Sequence, residues 1–370
     1  MNLDFSDDQK FLQDEARKFL TKEQALLRNR TVLEKNNKVD KDLWEKIVAL
    51  GWTGIRIPEE YNGLDLGHLE LCVIAEELGR FLAPVPFSSS VYLFTEAIIN
   101  YADDEIKSHF LPKLVSGEII GTIAVTEDLK APSENNILVT ENNGIINGKK
   151  IAVPDAEIST HSIVVCKCES GISLQLVDLS SPGVTIEQQE TIDDSRGHFL
   201  INFENVKSNL IGDKGNGWKS YETLINQAAV FFSYEQIGGS QATLDMAINY
   251  AKERYAFGRP IGSYQAIKHK LADMYIALTL AKSNCYYAAW ALSTNSSDFP
   301  SASATARVSA TKAYQLCSQE NIQTHGGNGF TWEYDCHMFY RRSKLLSLNI
   351  GSLSNWREKL VTSLEQSNIN

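Results

Sequence analysis

Arg254 and Phe257 stand in the run Glu253-Arg254-Tyr255-Ala256-Phe257-Gly258-Arg259-Pro260-Ile261-Gly262-Ser263-Tyr264-Gln265, which combines a guanidinium, aromatic rings and a glycine turn. A planar guanidinium can hold two oxygens of one anion. An arginine beside a Gly-Arg-Pro turn is equally the mark of a solvated helix end, where cations are favoured. The same two readings apply to Gln323-Thr324-His325-Gly326-Gly327-Asn328-Gly329-Phe330. Consecutive glycines stop a helix, and they also let backbone N–H groups approach an anion, with the Gln323 amide as a neutral donor. Proton transfer needs an acid or a base, and the triplet Ile350-Gly351-Ser352 near the C-terminus presents only an aliphatic side chain and a hydroxyl. Glu235, in the run Glu235-Gln236-Ile237-Gly238-Gly239, is a carboxylate on a predicted helix, suited to pairing with a neighbour or to acid–base work. Cys166 and Cys168 alternate on one predicted strand, while Cys72, Cys285, Cys317 and Cys336 stand alone. Without a second ligand cluster we expect neither zinc nor disulfides.

Composition narrows the partners. The formal charge is −11, with Lys and Arg scattered among acids, which disfavours a phosphate backbone and leads us to expect no nucleic-acid partner. No apolar run approaches the roughly 20 residues that span a bilayer. The acidic start Met1-Asn2-Leu3-Asp4-Phe5-Ser6-Asp7-Asp8 lacks the basic and apolar regions of a signal peptide, so a cytoplasmic location is expected.

The elements that must position these residues follow a helix, strand, helix order. Residues 1–117 read as helical: Ser6 with Gln9 is a capping-box pattern, and Phe11, Leu12, Ala16, Phe19 and Leu20 fall on one face. Further helices are predicted over Lys41 to Leu50 and His68 to Leu82, with the punctuated loop Ile57 to Gly67 between them. Residues 118–215 change to a strand-like period, with runs at Thr122 to Thr126, Ile137 to Thr140, Ile163 to Cys166, Leu174 to Val177 and Phe199 to Phe203. Residues 216–370 return to helical periodicity, with Ile267, Leu271, Met274 and Leu278 as an apolar stripe. The fold expectation is α+β, with a small β-domain inserted between two helical ones.

The length of the Arg254 to Met274 match, together with Gln323 to Phe330, Arg341-Arg342-Ser343-Lys344 and the loop Pro58-Glu59-Glu60-Tyr61, resembles the flavin-dependent acyl-CoA dehydrogenase family over nearly the whole chain. The resemblance implies an N-terminal helical domain, a central small β-barrel or sandwich, and a C-terminal four-helix bundle. It also implies FAD as cofactor, an acyl-CoA substrate, a dimer of dimers, and an electron-transfer flavoprotein or other acceptor. In the family's dimers the pyrophosphate residues serve the flavin of the neighbouring subunit. Carried onto this sequence, Arg254, Phe257, Gln265, Gln323, Gly326 and Gly327 become cofactor residues of that kind. Val125, Thr126, Ser133 and Ser352 become candidates for the flavin and substrate side.

Departures from the pattern matter as much. The family's catalytic glutamate, which takes the α-proton, falls at Ile350; the alternative position on the preceding helix falls at Ala228, followed by Ala229. The family's flavin-stacking tryptophan and nearby hydroxyl donor fall at Ala152 and Pro154, and the glycine loop after Val125-Thr126-Glu127 is rewritten as Asp128 to Ser133 with one residue inserted. Glu235 lies two turns beyond Ala228, about 11 Å along a helix. The resemblance therefore implies one subunit of a hetero-oligomer whose paralogous acyl-CoA dehydrogenase partner supplies the base, acting on bulky, steroid-like CoA esters. A self-sufficient flavoenzyme, with Glu235 as relocated base or working as a monooxygenase, and a flavin-free scaffold are the alternatives.

Overall fold

The structure, a computed structural model, describes residues 5–369; the first four residues of the acidic start, used above for targeting, lie outside the described residues. In chain order the helices α1 (Asp7–Lys22), α2 (Ala25–Glu34), α3 (Lys41–Ala49), α4 (His68–Arg80), α5 (Glu96–Tyr101) and α6 (Asp104–Val115) come first. The strands β1 (Gly121–Ala124), β2 (Thr140–Asn142), β3 (Ile145–Pro154), β4 (His161–Cys168), β5 (Gly171–Asp178), β6 (Val184–Gln189), β7 (His198–Lys207) and β8 (Asn209–Ile211) follow. Then come α7 (Gly217–Glu253), the hairpin β9 (Tyr255–Ala256) and β10 (Arg259–Pro260), α8 (Gln265–Ser293), α9 (Phe299–His325), α10 (Cys336–Leu346) and α11 (Leu353–Ile369). The order is helical, then β, then helical, as expected for this fold class. Among the described residues no helix is long and apolar enough to cross a membrane.

Contacts divide the chain into two compact units, Met1–Thr31, His68–Ala83 and Ala229–Asn370 in one, Val32–Gly67 and Pro84–Ala228 in the other. In the first, α1 opens on the Ser6 and Gln9 capping box, with Gln9 N donating to Ser6 Oγ at 3.2 Å and Ser6 N to Gln9 Oε1 at 2.9 Å. Phe11, expected on the buried face, is 66 % exposed. The face of α1 toward α4 is partly polar, through Gln9 with Glu70, Gln13 with Glu76 and Arg17 with Glu77, and only Ala16 and Leu20 are fully buried along it. The helix α4 ends at Arg80 rather than Leu82, because Leu82 takes φ +49°. It crosses α7 at glycines: a Cβ on Gly79 would lie 1.9 Å from Glu235 O, and one on Gly238 1.9 Å from Glu76 O. Along α8 the buried positions Met274, Leu278, Ala281, Cys285, Ala288 and Leu292 continue the expected spacing of three and four.

In the second unit the β-domain is one eight-stranded sheet in the order β6-β7-β3-β2-β4-β5-β8, with β1 parallel to β4 through Gly121↔His161 to Ala124↔Val164. Its buried face is built by Ala124, Val139, Ile146, Val153, Val164, Cys166, Val177, Phe199, Ile201 and Phe203. The strand expected from Ile137 begins instead at Thr140. Its preceding amides are taken by a carboxylate: Leu138 N and Val139 N donate to Glu127 at 2.6 and 3.0 Å. The pairing of β3 with β7 shifts register between Lys150 and Val153, a bulge in which Ala152 has φ +52°. All six cysteines are free and buried.

Candidate functional site

The sequence-selected residues of the first unit gather at two helix ends. Helix α7 stops at Glu253, Arg254 N still donating to Tyr250 O at 2.8 Å, and the chain reverses through a two-residue turn at Phe257 and Gly258. Both turn residues have positive φ, +52° and +81°, the backbone that a tight hairpin demands and that a phenylalanine adopts at a cost. The hairpin is tied down by Ile261 N to Arg254 O at 2.8 Å, by Tyr264 OH to Ala256 O at 2.9 Å, and by the Arg259 guanidinium 4.0 Å over the Tyr264 ring. Held in this way, Phe257 is 97 % exposed, and Arg254 and Gln265 also face solvent.

At the end of α9, Gln323, Gly326 and Gly327 are exposed. Gly326 has φ +61° and ψ −134°, a region open to glycine alone. A Cβ added to Gly258, Gly326 or Gly327 would meet no atom within 4 Å, so the backbone at all three lies open to a ligand. The donor set of this surface, a guanidinium, a primary amide and accessible backbone at two glycines, suits an anion such as a pyrophosphate.

The Ile350 region is built differently. Ile350 is 8 % exposed, its carbonyl accepts from Trp356 Nε1 at 3.1 Å, and Gly351 follows with φ +104°. The Ser352 hydroxyl starts α11, accepting from Asn355 N at 3.3 Å and donating to Asn355 Oδ1 at 2.5 Å. The turn before Ile350 is held by fully buried Arg307, which donates to Leu346 O, to Asn349 Oδ1 at 3.1 Å and to Gln236 Oε1 at 2.9 Å. Burial lowers the Arg307 pKa to about 9, against the opposing pull of Glu235. Glu235 is 1 % exposed, with its carboxylate 3.8 Å from the equally buried Arg342 guanidinium. Those are the surroundings of a structural charge inside a helix crossing. Arg342 also donates to Asn29 Oδ1 at 3.4 Å, so this member of the Arg341 to Lys344 block faces the interior.

In the second unit Ala228 is fully buried, and Val125, Thr126 and Ser133 are half-buried. Ala152 is exposed on its bulge, where its N–H donates to Gln189 Oε1 at 2.7 Å. The rewritten loop closes on itself, with Ser133 N donating to Asn136 Oδ1 at 2.8 Å and Asn136 Nδ2 to Ala131 O at 2.9 Å. Val125 and Thr126 are fixed by two residues of β3: Lys150 Nζ donates to Val125 O at 3.0 Å and Ile151 N to Thr126 O at 2.8 Å.

Sequence reasoning missed Lys150. Its ammonium is wholly buried, 2.6 Å from Glu127 Oε1, and desolvation lowers its pKa while Glu127 raises it. The one signal is the pair Lys149-Lys150 ahead of the apolar run Ile151-Ala152-Val153, which on its own reads as a solvated edge. His325 was also passed over, although it stands between Gln323 and Gly326.

The family model described as the acyl-CoA dehydrogenase N-terminal domain matches residues 6–118, and that for the C-terminal domain matches residues 215–355. A probable acyl-CoA dehydrogenase of Bacillus subtilis, YngJ, is 29 % identical over 95 % of this chain and 96 % of its own. Among solved structures, a steroid ACAD variant, Tcur3481-Tcur3483, is 26 % identical with a TM-score of 0.88, covering 98 % of this chain and 99 % of that one. Glutaryl-coenzyme A dehydrogenase in its glutaryl-CoA complex superposes with a TM-score of 0.93 at 24 % identity, over 100 % and 98 % of the two chains, a likeness of fold.

Proposed function

This chain belongs to the acyl-CoA dehydrogenase family, whose members are FAD-binding flavoproteins, and from that premise we propose that it is the base-lacking subunit of a hetero-oligomer that desaturates an acyl-CoA thioester. One contrast carries the reading. Ile350 and Ala228, which the family resemblance puts at its two alternative base positions, are buried and aliphatic, while Arg254, Phe257, Gln323, Gly326 and Gly327 face solvent. The groups that serve a neighbouring site are presented, and the base of this chain's own site is absent.

In this reading Arg254 grips pyrophosphate oxygens, the Gly326 and Gly327 backbone and the Gln323 amide complete that grip, and Phe257 and Gln265 contact the adenosine half. Val125, Thr126, Ser133 and Ser352 are the corresponding positions on this chain's own flavin and substrate side. FAD, held there, would supply the acceptor for a hydride from the substrate β-carbon. The α-proton goes to a carboxylate of the paralogous partner, and positioning of the thioester does most of the remaining work. Segments 1–117, 118–215 and 216–370 then serve as a helical domain, a flavin and substrate domain, and a bundle for pyrophosphate binding and oligomerisation as a dimer of dimers. The likeness to the steroid ACAD supports a bulky, ring-bearing acyl group. An electron-transfer flavoprotein or another acceptor would take the electrons onward, and a cytoplasmic location fits these partners.

Glu235 as a relocated base is not favoured, because its carboxylate is buried beside Arg342. The test is expression alone and with a paralogue that keeps the glutamate, followed by flavin stoichiometry and acyl-CoA-dependent flavin reduction. The chain alone is expected to turn over about 10²- to 10⁴-fold more slowly than the complex, the usual worth of a general base. Rapid turnover by the purified homo-oligomer, abolished by Glu235→Gln, would overturn the proposal.

A further inference from the structure

The two halves of the exposed anion surface come from sequence positions about seventy residues apart, yet one aromatic contact joins them. The Tyr250 and His325 rings stack with centroids 4.1 Å apart and planes at 28°. Tyr250 lies one helical turn before Arg254 and accepts the Arg254 N–H at 2.8 Å. His325 immediately precedes Gly326. The stack is fixed in three further ways. His325 Nδ1 lies 2.9 Å from Asn321 O, and since a carbonyl only accepts, Nδ1 carries the proton and the ring cannot rotate without losing that bond. Asn328 Nδ2 donates to Tyr250 OH at 3.0 Å and to Tyr334 OH at 3.4 Å. Tyr334 meets both rings edge-on, at 6.1 Å from Tyr250 and 5.7 Å from His325.

We infer that Tyr250 and His325 are a positioning pair that sets the separation between Arg254 and the Gly326-Gly327 backbone, so that one pyrophosphate can engage both. The inference deepens the reading above and rests on it. An open glycine backbone is mobile unless something anchors it, and a grip on two phosphate groups is only as tight as the distance between its halves is fixed. Neither ring needs to touch the ligand. Gly329 closes the far side of the loop, since a Cβ there would lie 2.5 Å from Ile322 O, leaving His325 as the anchor on the near side.

The test uses the co-expressed complex with four variants: Tyr250→Leu, Tyr250→Phe, the double variant Tyr250→Phe with His325→Phe, and Arg254→Ala as reference. Two quantities are read, FAD affinity and hydrogen exchange of the peptides covering 254–262 and 323–331. Tyr250→Leu is expected to weaken FAD binding about tenfold, the upper range for one aromatic pair, and to speed exchange in both peptides while leaving the β4 and β5 peptides unchanged. Tyr250→Phe and the double variant, which keep the stacked rings, are expected to retain most of the affinity. Should Arg254→Ala weaken binding while Tyr250→Leu does not, the positioning role falls and the flavin reading stands. Should Arg254→Ala have no effect, the flavin reading falls, and unchanged exchange in 323–331 would remove the positioning pair with it, whereas faster exchange would uphold the pair as the anchor of that loop. If Tyr250→Leu fails to fold, loss of FAD by the double variant as severe as that of Arg254→Ala would overturn the role of the stack.

Discussion

On the proposed reading, replacing Ile350 by glutamate would return a carboxyl to the base position, and it asks whether a base is all that the chain's own site lacks. The backbone there is held independently of the side chain, through Trp356 Nε1 on the Ile350 carbonyl at 3.1 Å and the left-handed Gly351. The exchange removes an almost fully buried aliphatic group, at a cost of about 2 kcal/mol. Burial also raises the pKa of the new carboxyl by stripping hydration from its ionised form. With a folded pKa of about 7 against about 4.3 unfolded, ionisation linkage adds about 1.7 kcal/mol of destabilisation at pH 5.5 and about 3.6 kcal/mol at pH 8. The sign follows from the raised folded pKa: the unfolded chain gives up its proton first, so stability falls as pH rises through that window and levels off above it. Denaturant unfolding of Ile350→Glu and wild type, each at pH 5.5 and pH 8, isolates the new group, because every other titration is common to both. The gap between them is expected to widen by about 2 kcal/mol at the higher pH. Flavin bleaching by acyl-CoA, measured alongside, is expected to stay slow, since Ala152 and Pro154 supply neither ring nor donor. A gap that does not depend on pH would refute the argument from burial. Full flavin occupancy with rapid bleaching would show that this chain's own site had lost only its base.

Three further outcomes are expected. Arg254→Ala should weaken flavin retention by the complex by about 1.5–3 kcal/mol, the worth of a hydrogen bond to a charged group, with the melting temperature nearly unchanged; unaltered flavin content would mark Arg254 as a plain helix end. Lys150→Met should destabilise the β-domain by about 3 kcal/mol because it strands the Glu127 carboxylate, and adding Glu127→Gln should recover part of the loss; additive losses in a double-mutant cycle would contradict the coupling. Burial lowers the His325 pKa below its usual value, so below about pH 6.5 the unfolded chain binds a proton that the folded ring refuses, and stability falls with pH in that range. His325→Phe keeps a ring and should flatten that fall in melting temperature between pH 7.5 and 5.5, and an identical slope in the variant would exclude His325 as its source.

Features that depend on near neighbours in the chain are legible in the residues alone. The Ser6 and Gln9 cap and the Met274, Leu278 stripe are local patterns, and so they were legible. The same holds for the family, because its longest motif, Arg254 to Met274, is continuous, and for the absence of a carboxylate at residue 350. Which distant groups meet depends on how the elements pack. Glu127 reaches Lys150 on a separate strand and takes the amides of Leu138 and Val139, delaying β2 to Thr140. Glu235 sits against Arg342, far from it in sequence, at a crossing set by glycines, and Phe11 is left outside because α1 meets α4 through polar pairs. Tyr250 finds His325 only when the ends of α7 and α9 are brought together. Periodicity records which side of an element is apolar, whereas a buried charge or a stacked ring is placed by whichever partner packing brings within about 4 Å, and that partner has no fixed spacing along the chain.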